Sequence, residues 1–168
     1  MMTSPTSGPV IVTRLAQPYV AIRCVVTMQT MSVAADRIPD VLSWAADRGV
    51  VPSGAPFFRY LVIDMEADVE IEVGVPVDRG VDGDGEVTAG VLPGGRYAVV
   101  EVTGHPDRLV EATADLLDRA RDDGLVWDRV DTDRGEAWGC RLEVYPTDPR
   151  EEPDMDRWRT ELVFRLAD

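Results

Sequence analysis

The stretch Trp138-Gly-Cys-Arg-Leu-Glu-Val-Tyr145 predicts a β-strand that runs into a proline-punctuated loop. Successive side chains of a strand point to opposite faces of its sheet. Arg141, Glu143 and Tyr145 are therefore expected on one face, and the cysteine, leucine and valine that alternate with them on the other. The apolar set suits a core beneath a helix. The second set would put a carboxylate between a guanidinium and a phenol on the floor of a cleft.

The residues around this strand indicate an order of elements that occurs twice. Runs of β-branched and aromatic residues predict strands, and apolar residues at three-to-four spacing predict helices. The predicted strands cover residues 19–27, 57–64, 69–77, 86–91, 96–103, 136–145 and 158–166, and the predicted helices cover residues 30–48 and 105–123. Pro39 either begins or kinks the first helix, because it lacks the N–H that a helix interior needs. Arg59 falls among apolar side chains of its strand, which suggests a bulge or an edge position.

Two copies of strand, helix and hairpin are thus predicted, at about residues 18–80 and 86–167. The predicted fold class is α+β: duplicated βαββ halves merge into one antiparallel sheet, with two helices packed on one face. The opposite face is then open, and a ligand cleft is expected along the pseudo-twofold seam. Residues 1–17 are expected to be a disordered tail. Residues 18–168 are expected to form one domain, as suits a chain of 168 residues.

The composition argues against several classes of function. With 31 acidic against 17 basic residues the net charge is −14, which opposes contact with a nucleic-acid backbone. Every basic residue is an arginine, so Schiff-base chemistry has no lysine to use. No apolar run approaches the roughly 20 residues of a membrane helix. The N-terminus has no basic and apolar secretion signal. We expect a cytoplasmic protein without a membrane or nucleic-acid partner.

Metal and cofactor chemistry is not expected either. Cys24 and Cys140 both lie in apolar strand patterns and are interpreted as buried thiols, since a cytoplasmic protein seldom carries disulfides. His105 is the lone histidine, and the cysteines do not have the spacing of zinc ligands. We therefore predict neither a metal site nor a cofactor.

A series of short motifs runs through residues 19–166, nearly the whole chain. The motifs are Tyr19-x-x-x-Arg23, Arg48-Gly-x-x-Pro-x-Gly-x-Pro-x-x-x-Tyr60, Gly74-Val-Pro-Val77, Leu92-Pro-Gly-Gly-Arg-Tyr-Ala98, Gly104 and Arg141-Leu-Glu-x-Tyr145. Taken in order, they resemble the GyrI-like small-molecule-binding domain, which is also the effector-binding domain of AraC- and MerR-type regulators. No single motif is specific; their order and spacing carry the resemblance. Because the chain shows no DNA-binding segment, we expect a stand-alone form of this domain.

The resemblance implies a duplicated βαββ fold with a cleft that takes lipophilic, often cationic, compounds. It implies that Glu143 is the main polar residue of the pocket and that Tyr60 is an aromatic wall. Phe58 shares the predicted face of Tyr60, and Tyr145 and Arg141 share that of Glu143, so these three residues are further candidates for ligand binding. A carboxylate among aromatic rings is poorly solvated, and a cationic ligand would relieve that penalty.

Three functions remain open at this point. The first is a stand-alone protein that binds a lipophilic compound of cationic or alkylating character. The second is a hydrolase of electrophilic molecules, since some stand-alone proteins of the resembled family look like enzymes that open strained cyclopropane rings; here Glu143 would activate water and Tyr60 would deliver a proton. The third is an acidic protein-interaction module. The plainer alternative for Glu143 is a water-facing carboxylate paired with Arg141. The sequence does not fix the ligand or the oligomeric state.

Overall fold

The computed structural model of the protein describes residues 9–64 and 66–167. Ten strands and three helices lie in these described residues. The strands are β1 (Val10–Arg14), β2 (Gln17–Val26), β3 (Phe57–Ile63), β4 (Val69–Pro76), β5 (Val87–Leu92), β6 (Gly95–Thr103), β7 (Arg129–Thr132), β8 (Gly135–Trp138), β9 (Arg141–Val144) and β10 (Arg159–Arg165), and the helices are α1 (Met31–Ala35), α2 (Ile38–Asp47) and α3 (Leu109–Asp122). None of these helices has the length and apolar character that crossing a membrane requires.

The strands form one antiparallel sheet, which confirms the α+β class. Eight of them lie in the order β1-β6-β10-β9-β3-β4-β2-β5, and β8 joins the sheet by pairing with both β3 and β7. The predicted hairpin is β3–β4, in which Phe57 faces Gly74. The two strands at the middle of the order, β3 and β9, come from distant parts of the chain.

Two short connections show that the sheet is rolled. Residues 15–16 join β1 to β2, and residues 93–94 join β5 to β6, although each pair of strands lies six places apart in the order. Three Cα steps span at most roughly 11 Å, whereas six strand spacings in a flat sheet would span roughly 29 Å. The two edges must therefore approach each other. A Cβ built on Gly94 would lie 3.1 Å from the backbone nitrogen of Ala16, so the two connections are in contact.

The two faces of the rolled sheet carry different cores. The larger core joins strand residues such as Tyr60 and Phe164 to Val41 of α2 and Leu116 of α3. The smaller core contains no helical residue, and its members are Tyr19, Ala21, Phe57, Leu92, Tyr97, Cys140, Leu142 and Val163. These residues are all buried, so the curvature of the sheet itself covers them.

The predicted assignment of the two faces is wrong. Cys140 and Leu142 were expected beneath a helix, but they lie on the face without helices, and Val144 packs there too. Tyr145 packs in the core that the helices cover, so the side chains expected to line a cleft do not lie on an open face opposite the helices. The reason is physical: a rolled sheet encloses apolar residues on its inner face without help from a helix. The alternation of the side chains along β9 is nevertheless as predicted.

Three further predictions differ from the structure. The expected disordered tail is wrong for Val10–Arg14, which forms β1 and pairs with β6; residues 1–8 of that tail lie outside the described residues. The single helix predicted over residues 30–48 is two helices, α1 and α2. Pro39 lies in the first turn of α2, where its missing N–H breaks no hydrogen bond within the helix. The predicted strand at 136–145 is divided into β8 and β9 at Gly139. A Cβ at Gly139 would overlap the Asp128 side chain, so a larger residue there would require Asp128 to move.

Candidate functional site

The candidate site lies where β3 and β9 pair at the middle of the sheet. Phe58 of β3 lies directly opposite Glu143 of β9. Phe58, Tyr60 and Tyr145 all pack in the core that the helices cover. The antiparallel register therefore brings together side chains that are more than eighty positions apart in the sequence. Alternation along each strand places them, and the register of the two strands makes them neighbours.

β3 contains a bulge, and its polar residue Arg59 does not belong to the candidate site. The register of β3 against β4 shifts between Tyr60 and Val62, which accords with the irregularity expected from Arg59. Arg59 lies on the opposite face. Its guanidinium donates hydrogen bonds to the hydroxyl of Tyr19 at 2.8 Å and to the carbonyl oxygen of Gly139 at 2.8 Å. It also lies 3.7 Å from the carboxylate of Glu72. Arg59 thus has a structural role away from the candidate site.

The carboxylate of Glu143 lies among phenol hydroxyls. The Tyr145 hydroxyl donates a hydrogen bond to Oε1 at 2.7 Å, and the Tyr60 hydroxyl also favours the ionised carboxylate. Burial raises the pKa of Glu143, and the two hydroxyls and the positive charge of Arg141 offset part of that rise. Burial, followed by the charge of Glu143, holds the pKa of both phenols well above the usual range. Both tyrosines therefore remain protonated donors at neutral pH.

Aromatic rings surround the carboxylate and its donors. The rings of Phe58 and Tyr145 meet edge to face, with their centroids 5.0 Å apart. Tyr60 is only 6% exposed, whereas Glu143 and Tyr145 are half-buried. Glu143 and Tyr145 therefore keep some exposed surface as residues, while the carboxyl group itself is buried enough for its pKa to rise. The predicted candidates Glu143, Tyr60, Phe58 and Tyr145 are brought together here.

Arg141 lies on the same side of β9, and its guanidinium is stacked among aromatic rings. The guanidinium carbon is 4.5 Å from the ring centroid of Phe164, 4.8 Å from that of Trp138 and 5.5 Å from that of Tyr60. Within the described residues, no carboxylate lies within 4.0 Å of it, so the alternative in which Arg141 pairs with Glu143 is wrong. Its Nε is buried without a hydrogen-bond partner. Burial lowers the pKa of Arg141.

Trp138 and Phe164 are the residues of this arrangement that the sequence did not indicate. Phe164 lies directly opposite Arg141 on β10, a pairing that depends on strand order. Trp138 belongs to β8, and the interruption at Gly139 turns its ring toward the same cluster, where it packs on Phe164 with centroids 5.5 Å apart. Strand alternation could have found neither contact. Knowing that β9 pairs with β10 would have indicated the contact between Phe164 and Arg141.

The two surface depressions lie away from the candidate site, and the described residues contain no candidate metal site. One surface depression of about 410 Å³ is lined by Arg96, Gly124 and Leu166, and another of about 320 Å³ by Val81 and Gly90. Neither includes a residue of the candidate site. Across residues 9–64 and 66–167, no group of three or more histidine, cysteine, aspartate or glutamate side chains is arranged to hold a metal ion.

Comparison with known proteins identifies related sequences and folds. A sequence model of the GyrI-like small molecule binding domain matches residues 8–167. No curated protein sequence matches the chain. Among solved structures, EcmrR in a complex with DNA has a TM-score of 0.75 at 17% identity, over 95% of this chain and 57% of that one. The isolated EcmrR C-terminal domain has a TM-score of 0.73 at 16% identity, over 95% and 96% of the two chains.

Two further solved structures share the fold at low identity. SAV2435 bound to tetraphenylphosphonium has a TM-score of 0.62 at 11% identity, over 96% of this chain and 94% of that one. A hydrolase from Listeria innocua has a TM-score of 0.61 at 13% identity, over 98% and 94%. At these identities the structural matches establish the fold alone. The chain spans little more than half the length of EcmrR in the DNA complex.

Proposed function

The chain belongs to the family of GyrI-like small-molecule-binding domains, and from this premise we propose that it binds a lipophilic compound, with cationic and alkylating molecules among the classes to be tested. The compound lies between the aromatic rings at the β3–β9 seam. Glu143 is the polar anchor and Tyr60 an aromatic wall, while Phe58, Tyr145 and Arg141 complete the surroundings. We further propose that the protein acts in the cytoplasm and that this domain itself does not contact nucleic acid, in keeping with its net charge of −14.

The observation that carries the proposal is the environment of Glu143. A carboxylate among aromatic rings is poorly solvated, and burial raises its pKa. The hydroxyls of Tyr145 and Tyr60 offset this cost only in part. An apolar residue at this position would satisfy the packing of the sheet. A ligand that contacts the carboxylate and the rings supplies a reason for the acid to be there.

The proposal requires the site to open. The rings and the guanidinium of Arg141 occupy the space beside Glu143, and the two surface depressions lie elsewhere. Glu143 and Tyr145 are half-buried, so solvent already reaches the edge of the cluster. Entry of a ligand from that edge needs movement of side chains, without a change in the strand order.

The neighbouring structures and the strand order support the proposal at the level of the fold. SAV2435 was solved with tetraphenylphosphonium, a lipophilic cation, and EcmrR was solved on DNA as a longer chain. The inner strands run β6-β10-β9 and then β3-β4-β2. This order is what two βαββ halves would give if β9 and β3 met at a pseudo-twofold seam. We propose that the ligand site lies on that seam.

A second candidate is hydrolysis of an electrophilic ligand. The observation that favours it is a carboxyl group of raised pKa in contact with two phenol hydroxyls, which is the arrangement that proton transfer needs. Glu143 would take a proton from water as the water oxygen bonds to an electrophilic carbon. The bond from that carbon to its leaving atom breaks, and Tyr60 protonates the leaving atom; the Glu143 proton then returns to the Tyr60 oxygen. The hydrolase from Listeria innocua shares this fold.

The test is thermal stability of the protein with a panel of lipophilic cations, neutral hydrophobic compounds and strained-ring electrophiles. A ligand that binds only the native state at a hundred times its Kd adds about 2.7 kcal/mol to stability. We expect hits that stabilise wild type and Glu101→Gln, an exposed carboxylate on β6, but not Glu143→Gln. Product formed by wild type and not by Glu143→Gln would favour the hydrolase. Equal stabilisation of all three proteins would contradict a site at Glu143.

A further inference from the structure

The guanidinium of Arg141 already lies over aromatic rings of the kind that attract a ligand cation. A cation in an aromatic site gains attraction from ring faces within about 6 Å. The guanidinium carbon of Arg141 lies within this range of three rings. Its distances to the ring centroids are 4.5 Å for Phe164, 4.8 Å for Trp138 and 5.5 Å for Tyr60. The Tyr60 hydroxyl also favours the ionised form of Glu143. The ring proposed as an aromatic wall of the site is therefore in contact with a resident positive charge.

This charge is permanent and has no ion-pair partner of its own. An arginine side chain stays protonated in proteins. Among the described residues, the carboxylates within 4.0 Å of a guanidinium serve other arginines, and none serves Arg141. Its Nε is buried and makes no hydrogen bond. The guanidinium is therefore balanced by the π-faces of the rings and, at longer range, by the charge of Glu143.

We propose that Arg141 sets the charge selectivity of the site, so that a neutral lipophilic compound binds and a permanent cation of the same size and shape is disfavoured. The proposal rests on binding at Glu143. A cation placed beside the carboxylate would repel the guanidinium in a poorly solvated environment, where like charges interact strongly. To contact the rings of Tyr60, Trp138 or Phe164 where Arg141 lies over them, it would also have to displace that guanidinium. A neutral compound avoids the repulsion and can share the aromatic surface.

The experiment compares two compounds that differ in charge but hardly in shape: triphenylphosphine oxide, which is neutral, and methyltriphenylphosphonium, which is a cation. Their affinities are measured by titration calorimetry on wild type and Arg141→Met, which keeps a long unbranched side chain but removes the charge. Arg141→Lys keeps the charge without the planar group. Arg79→Met removes one positive charge from an exposed loop and is the matched control. Circular dichroism verifies that each variant is folded, and Arg141→Gln replaces Arg141→Met if the latter does not fold.

We expect wild type, Arg141→Lys and Arg79→Met to prefer the neutral compound by about ten-fold or more, and Arg141→Met to lose that preference through tighter binding of the cation. Wild type that binds the cation as tightly as the oxide would overturn the selectivity proposal and leave binding at Glu143 standing. An unchanged ratio in Arg141→Met would do the same. If neither compound binds wild type or Arg141→Met, the binding proposal fails together with this one.

Discussion

At the scale of single residues, phenol hydroxyls rather than a guanidinium hold the carboxylate of Glu143. Tyr145 donates a hydrogen bond to Oε1 at 2.7 Å and the Tyr60 hydroxyl also favours the ionised carboxylate, while the guanidinium of Arg141 lies over aromatic rings. Burial disfavours the ionised carboxylate, and the donors favour it. The protonation of Glu143 therefore responds to whatever is placed beside it, which is a useful property in a binding residue.

The raised pKa of Glu143 predicts a pH-dependent difference in stability. Where the native pKa lies above the unfolded one, the native state holds more protons, so this group lowers stability as pH rises through that interval. Glu143→Gln removes the effect. We expect the variant to gain stability relative to wild type as pH rises above about 4, which is near the ordinary pKa of glutamate.

Urea unfolding of both proteins at several pH values measures this difference in free energy of unfolding. Glu101→Gln, which removes an exposed carboxylate on β6, is the control and is expected to follow wild type. A Glu143→Gln variant that loses stability relative to wild type as pH rises would contradict the environment described for Glu143.

At the scale of elements, β4 owes its close packing to a glycine. A Cβ on Gly74 would lie 2.9 Å from Cζ of Phe57 in β3 and 2.9 Å from the carbonyl oxygen of Val20 in β2. Backbone atoms of a central strand cannot retreat easily, so the space exists only for a hydrogen atom. The Phe57 ring therefore lies against β4, on the face opposite Phe58 and Glu143.

We expect Gly74→Ala to lower the free energy of unfolding by about 1–3 kcal/mol, the usual cost of overpacking a core. Gly80→Ala is the matched control, because a Cβ there meets nothing within 4 Å, and exposed substitutions change stability by about 0.5 kcal/mol or less. Denaturant unfolding of both variants measures the difference. Equal stabilities for the two variants would show that β3 and β4 are not packed as described.

Local sequence patterns predict much of these elements but not their neighbours. The alternation in residues 138–145 correctly separates Arg141, Glu143 and Tyr145 from the apolar set. The break at Gly139 depends on Asp128, which belongs to a different segment of the chain. β8 depends on pairing with β3, and β7 depends on pairing with β8. Val10–Arg14 has the β-branched residues of a strand, yet the proline-rich residues before it favour a tail. What decides β1 is an available edge on β6.

At the scale of the whole molecule, the sheet interleaves distant parts of the chain. β1 pairs with β6, β2 with β5, and β3 with β9. Two connections of two residues each hold the edges of the rolled sheet together. The alternation of apolar and polar residues does not indicate this curvature. For that reason the sequence analysis predicted the wrong face of the sheet beneath the helices. The site lies where the β3–β9 pairing joins the two parts.

This interleaving predicts that the protein unfolds in one cooperative transition. In Trp44→Phe, the remaining tryptophans, Trp127, Trp138 and Trp158, report on the later part of the chain. We expect their fluorescence and the far-UV circular dichroism to give the same urea midpoint, as a two-state transition requires. Two separate midpoints would mean that the parts of the chain fold independently, contrary to the pairing of β3 with β9.

The measurement that tests the central claim most directly is the position of a bound ligand by nuclear magnetic resonance. A compound that stabilises wild type is titrated into isotope-labelled protein while the side-chain signals of the two cores and of the surface depressions are followed. The claim predicts the largest shifts at Tyr60, Arg141, Glu143 and Tyr145, with no comparable shifts for the same ligand concentration in Glu143→Gln. Shifts centred instead on the depression lined by Arg96, Gly124 and Leu166 would contradict it.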